Sequence, residues 1–359
     1  MEKIETKIVS VQLDIEQDDT LSKENALFEE AGKILREGGL VAFPTETVYG
    51  IGANALDVEA IQKIYLAKGR PSDNPLIMHI SRLSDVEKYA KEVNEKALLL
   101  IEAFWPGPLT LVFQKREIVP REITGGLDTV AIRMPIHPIA RKLIEKAGVP
   151  IAAPSANLSG KPSPTRGRHV IEDLSGRVDL IIDGGKTEHG LESTVLDVTG
   201  EIPCILRPGS ITKAMIESVI GEARYDEHLT DAASVPKAPG MKYKHYAPEG
   251  QLTIVSGPSE ISVIEYINRE VSKDQMNGHK VGVIAPMQVI EHIQADLVEN
   301  IGDIDNPKEI GANLFTLLRK MDEKKVERIY SFEYKGEDIG IAIMNRLMKA
   351  AGNRVIELE

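Results

Sequence analysis

Short apolar runs alternate with helix-length amphipathic segments along most of this chain, an alternation that confines it to α/β architecture. The second half shows it most cleanly. Strand patterns at residues 252–256, 281–285, 328–332 and 355–358 are separated by helical periodicity at 261–271, 310–320 and 339–351, the rhythm of a parallel sheet covered by helices. The first half is mixed. Helices are predicted at 26–37, 60–67, 95–104 and 138–147. Strands are predicted at 40–43, 76–80, 109–114, 130–133, 151–153, 180–183, 193–198 and 205–206. Between Ile220 and Gln251 the apolar periodicity fades among Ala238-Pro239-Gly240 and Ala247-Pro248-Glu249-Gly250. A length of 359 residues is long for one core. The expected division is a first domain over 1–220, a linker over 221–250 and a smaller second domain over 251–359.

Composition narrows the function classes. Hydrophobic residues make up 42% and charged residues 27%, ordinary for a globular protein. No apolar run approaches bilayer length, and Met1-Glu2-Lys3-Ile4-Glu5 lacks a signal-peptide pattern. Cys204 is the single cysteine, which excludes a disulfide framework and a cysteine-rich zinc site and points to a reducing, cytoplasmic setting. The formal net charge of −12 argues against a protein that grips RNA over its whole surface, because phosphate neutralisation supplies most of that affinity. A local basic cleft built from Lys68, Arg70, Arg133 and Arg207 remains compatible with it.

Five polar strings interrupt the framework at or near predicted strand ends: Pro44-Thr45-Glu46-Thr47-Val48-Tyr49-Gly50, Lys68-Gly69-Arg70-Pro71-Ser72-Asp73-Asn74-Pro75-Leu76, Pro154-Ser155-Ala156-Asn157-Leu158-Ser159-Gly160, Glu192-Ser193-Thr194-Val195-Leu196-Asp197 and Arg207-Pro208-Gly209. Strand-end loops are where α/β proteins keep their sites, and together the strings predict one wall of a pocket for a phosphorylated, hydroxyl-rich ligand. Lys68 and Arg70 follow a helix and precede Pro71, so their side chains are expected to project from a stiffened loop. Two cations there suit a triphosphate, or else form a solvated basic loop. Arg133 leaves an apolar strand and suits bidentate capture of a carboxylate, or a structural salt bridge. Ser155, Asn157 and Ser159 suit ribose or phosphate oxygens, or cap the following segment. Ser193 and Thr194 face the pocket or pair across the sheet. No nucleophile–base pair is evident, which points to catalysis by positioning and electrostatics.

Two motifs are decoys. Gly50-Ile51-Gly52-Ala53-Asn54-Ala55 loosely matches a dinucleotide-binding pattern but lacks the acidic residue about twenty positions on; it is read as a close-packed turn beneath the pocket. Gly184-Gly185-Lys186-Thr187 resembles the tail of a phosphate loop, yet the position of its leading glycine is Leu180.

The five strings, in this order, resemble the Sua5/YrdC/YwlC family of threonylcarbamoyl-AMP synthases, from about Ile8 through Arg207. The resemblance continues into the longer Sua5 branch through Pro239-Gly240-Met241-Lys242-Tyr243-Lys244-His245-Tyr246-Ala247-Pro248. It implies a YrdC-like open twisted α/β domain, then a linker covering the active site and a Rossmann-like C-terminal domain. It also implies synthesis of threonylcarbamoyl-AMP and pyrophosphate from L-threonine, bicarbonate and ATP with Mg2+, the metal having no direct protein ligand. Threonine would be lined by Thr47, His79, Arg133, Ala153 and Ser193. ATP would be contacted by Lys68, Arg70, Asn74, Thr129, Ser155, Asn157, Ser163, Arg207 and Tyr246, or Tyr243 in place of Tyr246, with Lys68 and Arg70 as catalytic cations. The product would pass to transferase proteins that modify adenosine 37 of ANN-decoding tRNAs, leaving room for a weak or transient tRNA contact. Two alternatives are weighed. The carbamoyltransferase role of hydrogenase-maturation proteins needs zinc-finger cysteines that a chain with Cys204 alone lacks. An RNA-binding or ribosome-maturation module fits poorly with the net acidity.

Overall fold

The computed structural model describes residues 4–12, 24–227, 229, 246–334 and 336–359. The chain divides into two compact units, one of Met1–Ser159 and Ser163–Tyr243, the other of Gly160–Pro162 and Lys244–Glu359. Most of the linker expected over 221–250, including Gly240, Lys242 and Tyr243, lies outside the described residues.

In the first unit the elements begin with β1 (Lys7–Ser10), α1 (Asn25–Arg36), β2 (Val41–Phe43), β3 (Gly50–Asn54), α2 (Val58–Lys68) and β4 (Ile77–His79). Then come α3 (Val86–Tyr89), α4 (Glu95–Phe104), β5 (Leu109–Gln114), β6 (Thr129–Arg133), α5 (Pro138–Ala147) and β7 (Ile151–Ala152). The unit closes with α6 (Gly167–Leu174), β8 (Leu180–Asp183), β9 (Thr194–Asp197), β10 (Cys204–Arg207), α7 (Lys213–Ile220) and β11 (Arg224–Tyr225). Its described strands form an eleven-stranded mixed sheet in the order β1-β8-β2-β3-β7-β4-β6-β5-β9-β10-β11.

Alternate strand residues feed two cores, as the two-residue side-chain period requires. Val41, Phe43, Ile151, Leu180 and Ile182 join Phe28, Leu35, Leu143 and Ile144 of α1 and α5 on one face. Ala42, Ala152 and Ile181 join Ile61, Ile64, Leu100 and Ile101 of α2 and α4 on the other. The segment read as a turn, residues 50–55, is strand β3 over Gly50–Asn54. Its glycines serve close packing: a Cβ on Gly52 would sit 2.8 Å from both Ile151 and Phe43 side-chain carbons.

The second unit is simpler. Its elements are β12 (Gln251–Ser256), α8 (Glu260–Met276), β13 (Val281–Ala285), β14 (Leu297–Asn300), α9 (Pro307–Glu323), β15 (Arg328–Phe332), α10 (Ile339–Ala351) and β16 (Val355–Glu357). The strands lie in the order β14-β13-β15-β12-β16, with every neighbouring pair parallel. Local chemistry starts and stops the helices. Ser259 and Ser262 form a capping box ahead of α8, Asn306 caps α9 with Pro307 in its first turn, and Gly352 ends α10 in the left-handed conformation.

Candidate active site

Neighbouring strands β4, β6, β5, β9 and β10 align a row of polar residues along one end of the first unit's sheet. In register, His79 at the end of β4 pairs with Arg133 at the end of β6, and Arg133 pairs with Thr110 of β5 across the antiparallel step. Ala153 follows β7, and its backbone N–H donates to the Ile77 carbonyl at 3.0 Å. Ser193 precedes β9, and its hydroxyl lies 2.8 Å from that of Thr110. From the end of β10, Arg207 donates through Nε to the Ser193 carbonyl and through Nη2 to its hydroxyl, both at 3.1 Å.

Arg133 is the centre of the row and is 3% exposed. It donates through Nε to the Gly107 carbonyl at 3.3 Å, through Nη1 to the Thr47 hydroxyl at 2.9 Å and through Nη2 to Glu46 Oε1 at 2.6 Å. Of the two readings of Arg133 weighed from the sequence, the structural salt bridge is present, to Glu46 at 2.6 Å. Burial alone would raise the Glu46 pKa, but the Arg133 guanidinium, helped by the nearby backbone N–H groups of Glu46 and Ile136, which stand outside hydrogen-bond geometry, holds it below the usual carboxylate value. Burial, assisted by the Arg133 charge, pushes His79 down to about 3; its imidazole is neutral at physiological pH. Burial likewise lowers His137 to about 4.

Lys68 departs from expectation. Instead of projecting from a loop it is the last residue of α2 and is 2% exposed. Asp57 caps the start of that helix by accepting from the N–H groups of Glu59 and Ala60. Gly69 stops it at φ 62°, and the Arg70 N–H returns to the Tyr65 carbonyl at 3.0 Å. This fixed end aims the Lys68 ammonium at the carbonyl oxygens of Ser155, at 2.5 Å, and Asn157, at 2.6 Å. Lys68 thus ties the second and third strings together. Asn157 is buried, whereas Ser155 is half-buried.

Arg70 donates to the carbonyls of Asn74 at 3.4 Å and Pro75 at 3.2 Å and lines a cavity of ≈690 Å³ with Tyr65, Ser72, Arg121 and Gly125. Asn74 is fully buried, yet neither its Oδ1 nor its Nδ2 has a hydrogen-bond partner. Thr129 starts β6 at the end opposite Arg133, about 13 Å along the strand. The turn that precedes it abuts Asn74's neighbours, since a Cβ on Gly125 would lie 2.9 Å from the Asp73 carbonyl. Ser163 is buried and donates to Glu192 Oε1 at 2.6 Å. Tyr246 belongs to the second unit, where it is buried at φ 64° with its ring centroid 5.1 Å from that of Phe315.

Glu46, Thr110 and Glu192 were not singled out from the sequence. The available signal was an acid inside an otherwise uncharged strand-end string, in both Thr45-Glu46-Thr47 and Leu191-Glu192-Ser193. Burying an ionised carboxylate is costly unless it is paired and hydrogen-bonded, so such an acid marks either a solvated turn or a built site.

Fold and site together define an α/β protein that gathers buried cations, hydroxyls and amides at the ends of its strands. Two family models cover it: one described as telomere recombination (Sua5/YciO/YrdC) matches residues 33–209, and the threonylcarbamoyl-AMP synthase C-terminal domain matches residues 211–352. The chain belongs to the Sua5/YrdC/YciO family. It is 52% identical to the threonylcarbamoyl-AMP synthase of Pyrococcus abyssi over 91% of its length and 95% of that protein's. Identity to the Bacillus subtilis enzyme of the same name is 49%, over 94% and 96% respectively. A crystal structure of P. abyssi Sua5 complexed with L-threonine superposes with a TM-score of 0.91 at 49% identity, covering 98% of this chain and 99% of that one.

Proposed function

We infer that this chain is a threonylcarbamoyl-AMP synthase. The observation that carries the inference is near-half identity, over nearly the whole length, to two enzymes of that name; the polar row at the strand ends provides a matching site. The reaction joins L-threonine, bicarbonate and ATP into threonylcarbamoyl-AMP and pyrophosphate. The threonine amine and bicarbonate give the carbamate with loss of water. A carbamate oxygen then attacks the α-phosphorus, and the bond to the β-phosphate breaks to release pyrophosphate.

In this reading the Arg133 guanidinium takes the threonine carboxylate, with Thr47, neutral His79, Ala153 and Ser193 shaping the side-chain and hydroxyl contacts. Arg70 and Lys68 offset the triphosphate charge that a carbamate oxygen must approach. Asn74, Thr129, Ser155, Asn157, Ser163 and Arg207 hold the nucleotide. The two unpartnered buried atoms of Asn74 support that role, since an amide buried without partners costs stability unless a ligand fills it. Mg2+ enters as part of the substrate, carried on the ATP phosphates. Among the described residues no group of three His, Cys, Asp or Glu side chains could hold a metal ion.

The product serves N6-threonylcarbamoyladenosine formation on tRNA, with a separate transferase as the receiving partner. No helix of the described residues is long and apolar enough to cross a membrane, and together with the single cysteine this supports a cytoplasmic setting. The experiment is mass detection of the adenylate from 13C-bicarbonate, L-threonine and Mg·ATP. A labelled threonylcarbamoyl-AMP that requires all three substrates is expected; ATP hydrolysis without it would refute the assignment.

A further inference from the structure

The threonine-side wall contains one charged group to which the reading above gives no task. Glu46 is 2% exposed; its Oε1 accepts from Arg133, but its Oε2 is buried without a hydrogen-bond partner. Arg133, for its part, has five N–H donors and spends three, on Gly107, Thr47 and Glu46. One N–H on each terminal nitrogen remains for a carboxylate. The buried pair therefore offers two adjacent vacancies of opposite character: a cationic fork and an anionic acceptor.

We propose that Glu46 Oε2 receives the α-ammonium of the amino-acid substrate while Arg133 holds its α-carboxylate. The proposal rests on the threonine-binding reading and deepens it. A net-neutral buried ion pair is matched by a net-neutral zwitterion, so binding adds no uncompensated charge to a site where one would be expensive. A ligand bearing only a carboxylate would fill the fork and leave the Glu46 oxygen unpaired, which disfavours it. The contact also survives the first chemical step. An ammonium brings three N–H donors: one proton passes to solvent to free the amine, a second leaves with a bicarbonate oxygen as water, and the one N–H that the carbamate keeps stays on Oε2 while the new carboxylate group turns towards the nucleotide.

A merely structural Glu46, acting by orienting Arg133, makes a different prediction, because it would support every carboxylate ligand equally. The test is calorimetric titration of the full chain with L-threonine and with 2,3-dihydroxybutanoate, in which a hydroxyl replaces the amine. Wild type should prefer threonine by roughly 10- to 100-fold, the range for a hydrogen bond to a charged partner. Glu46→Gln keeps an acceptor for Arg133 but replaces the anionic oxygen with an amide donor. It should erase most of that preference while leaving 2,3-dihydroxybutanoate within about threefold of wild type. Equal loss of both ligands in Glu46→Gln would overturn the ammonium role and leave threonine binding standing. Equal binding of both ligands to wild type would overturn it without any variant, so the proposal does not depend on Glu46→Gln folding. If wild type bound neither compound, the threonine reading and this proposal would fall together.

Discussion

The two units answer the same architectural demand in different ways. The second is a run of parallel strand–helix repeats. Its buried polar and charged side chains are few among the described residues: Thr253, Glu299, Arg319, Ser331 and Arg346. The first unit buries Thr45, Glu46, Thr47, Lys68, Asn74, His79, Thr110, Arg133, Ser163, Glu192, Ser193 and Arg207 within or beside its strand-end strings. Packing alone does not call for that density, since each such group must be satisfied or it weakens the fold. Places where a sequence departs from the rules of a good core tend to be functional sites. The contrast is the one expected if the chemistry proposed above sits at the first unit's strand ends.

The sharpest way to break this comparison is at Arg133. Arg133→Lys keeps the charge that compensates Glu46 but loses the planar fork. Product formation should fall by roughly 10²-fold or more through a raised KM for threonine, with KM for ATP nearly unchanged, as steady-state kinetics would show. Lys68→Met comes next. It removes a buried cation and releases the Ser155 and Asn157 carbonyls, so turnover should drop by about 10²-fold, with the burden on the ATP side. A selective change in threonine KM would move Lys68 to the other half of the site. Substrate choice gives a smaller effect. A site that reads the threonine hydroxyl should use 2-aminobutyrate roughly 10-fold or more less efficiently in competition, and equal use would remove hydroxyl recognition.

Acidification should separate the units. His79 at about 3 and His137 at about 4 lie below the ordinary histidine value of 6.5. Between those limits the unfolded chain binds more protons than the folded one. Their stabilisation is thus complete above pH 6.5 and lost as pH falls towards 4 and then 3. In the second unit, burial raises Asp322 from 3.8 to about 6, so its contribution has the opposite sign, present below 3.8 and lost as pH rises through 6. Hydrogen exchange at pH 7.5 and pH 5 should show the first unit loosening and the second holding or tightening. As the smallest effect, Ser331→Ala in the second unit's core should leave kcat and both KM values within about twofold, with only a modest stability change on the order of 1 kcal/mol.

Legibility in the sequence followed the same division. Strands 252–256, 281–285 and 328–332 are readable to within a residue because parallel strands buried on both faces are mostly apolar, with Thr253 and Ser331 as the buried polar exceptions. The edge strand β14, Leu-Val-Glu-Asn with only partial burial, was missed. In the first unit β3 was read as a turn because its two glycines hide the strand pattern, their purpose being close approach to Ile151 and Phe43. Helices α6 and α7 span eight residues each, too short for periodicity to stand out. At the site, Arg133 pairs in register with Thr110, whose hydroxyl meets Ser193, and Ser193 in turn accepts from Arg207. Lys68 is buried rather than projecting from a loop, because a terminal lysine ordinarily reaches solvent and nothing local announces two carbonyls some ninety residues away. Glu46 was passed over because the buried partner that makes it meaningful, Arg133, is 87 positions distant.

The central claim, that the first unit's buried polar row is an amino-acid site, is tested most directly by titrating L-threonine into the full chain and into Arg133→Lys, with ATP absent. Saturable 1:1 binding to wild type that weakens by roughly 10²-fold in the variant is the predicted result. No binding to wild type, or equal binding to both proteins, would contradict it.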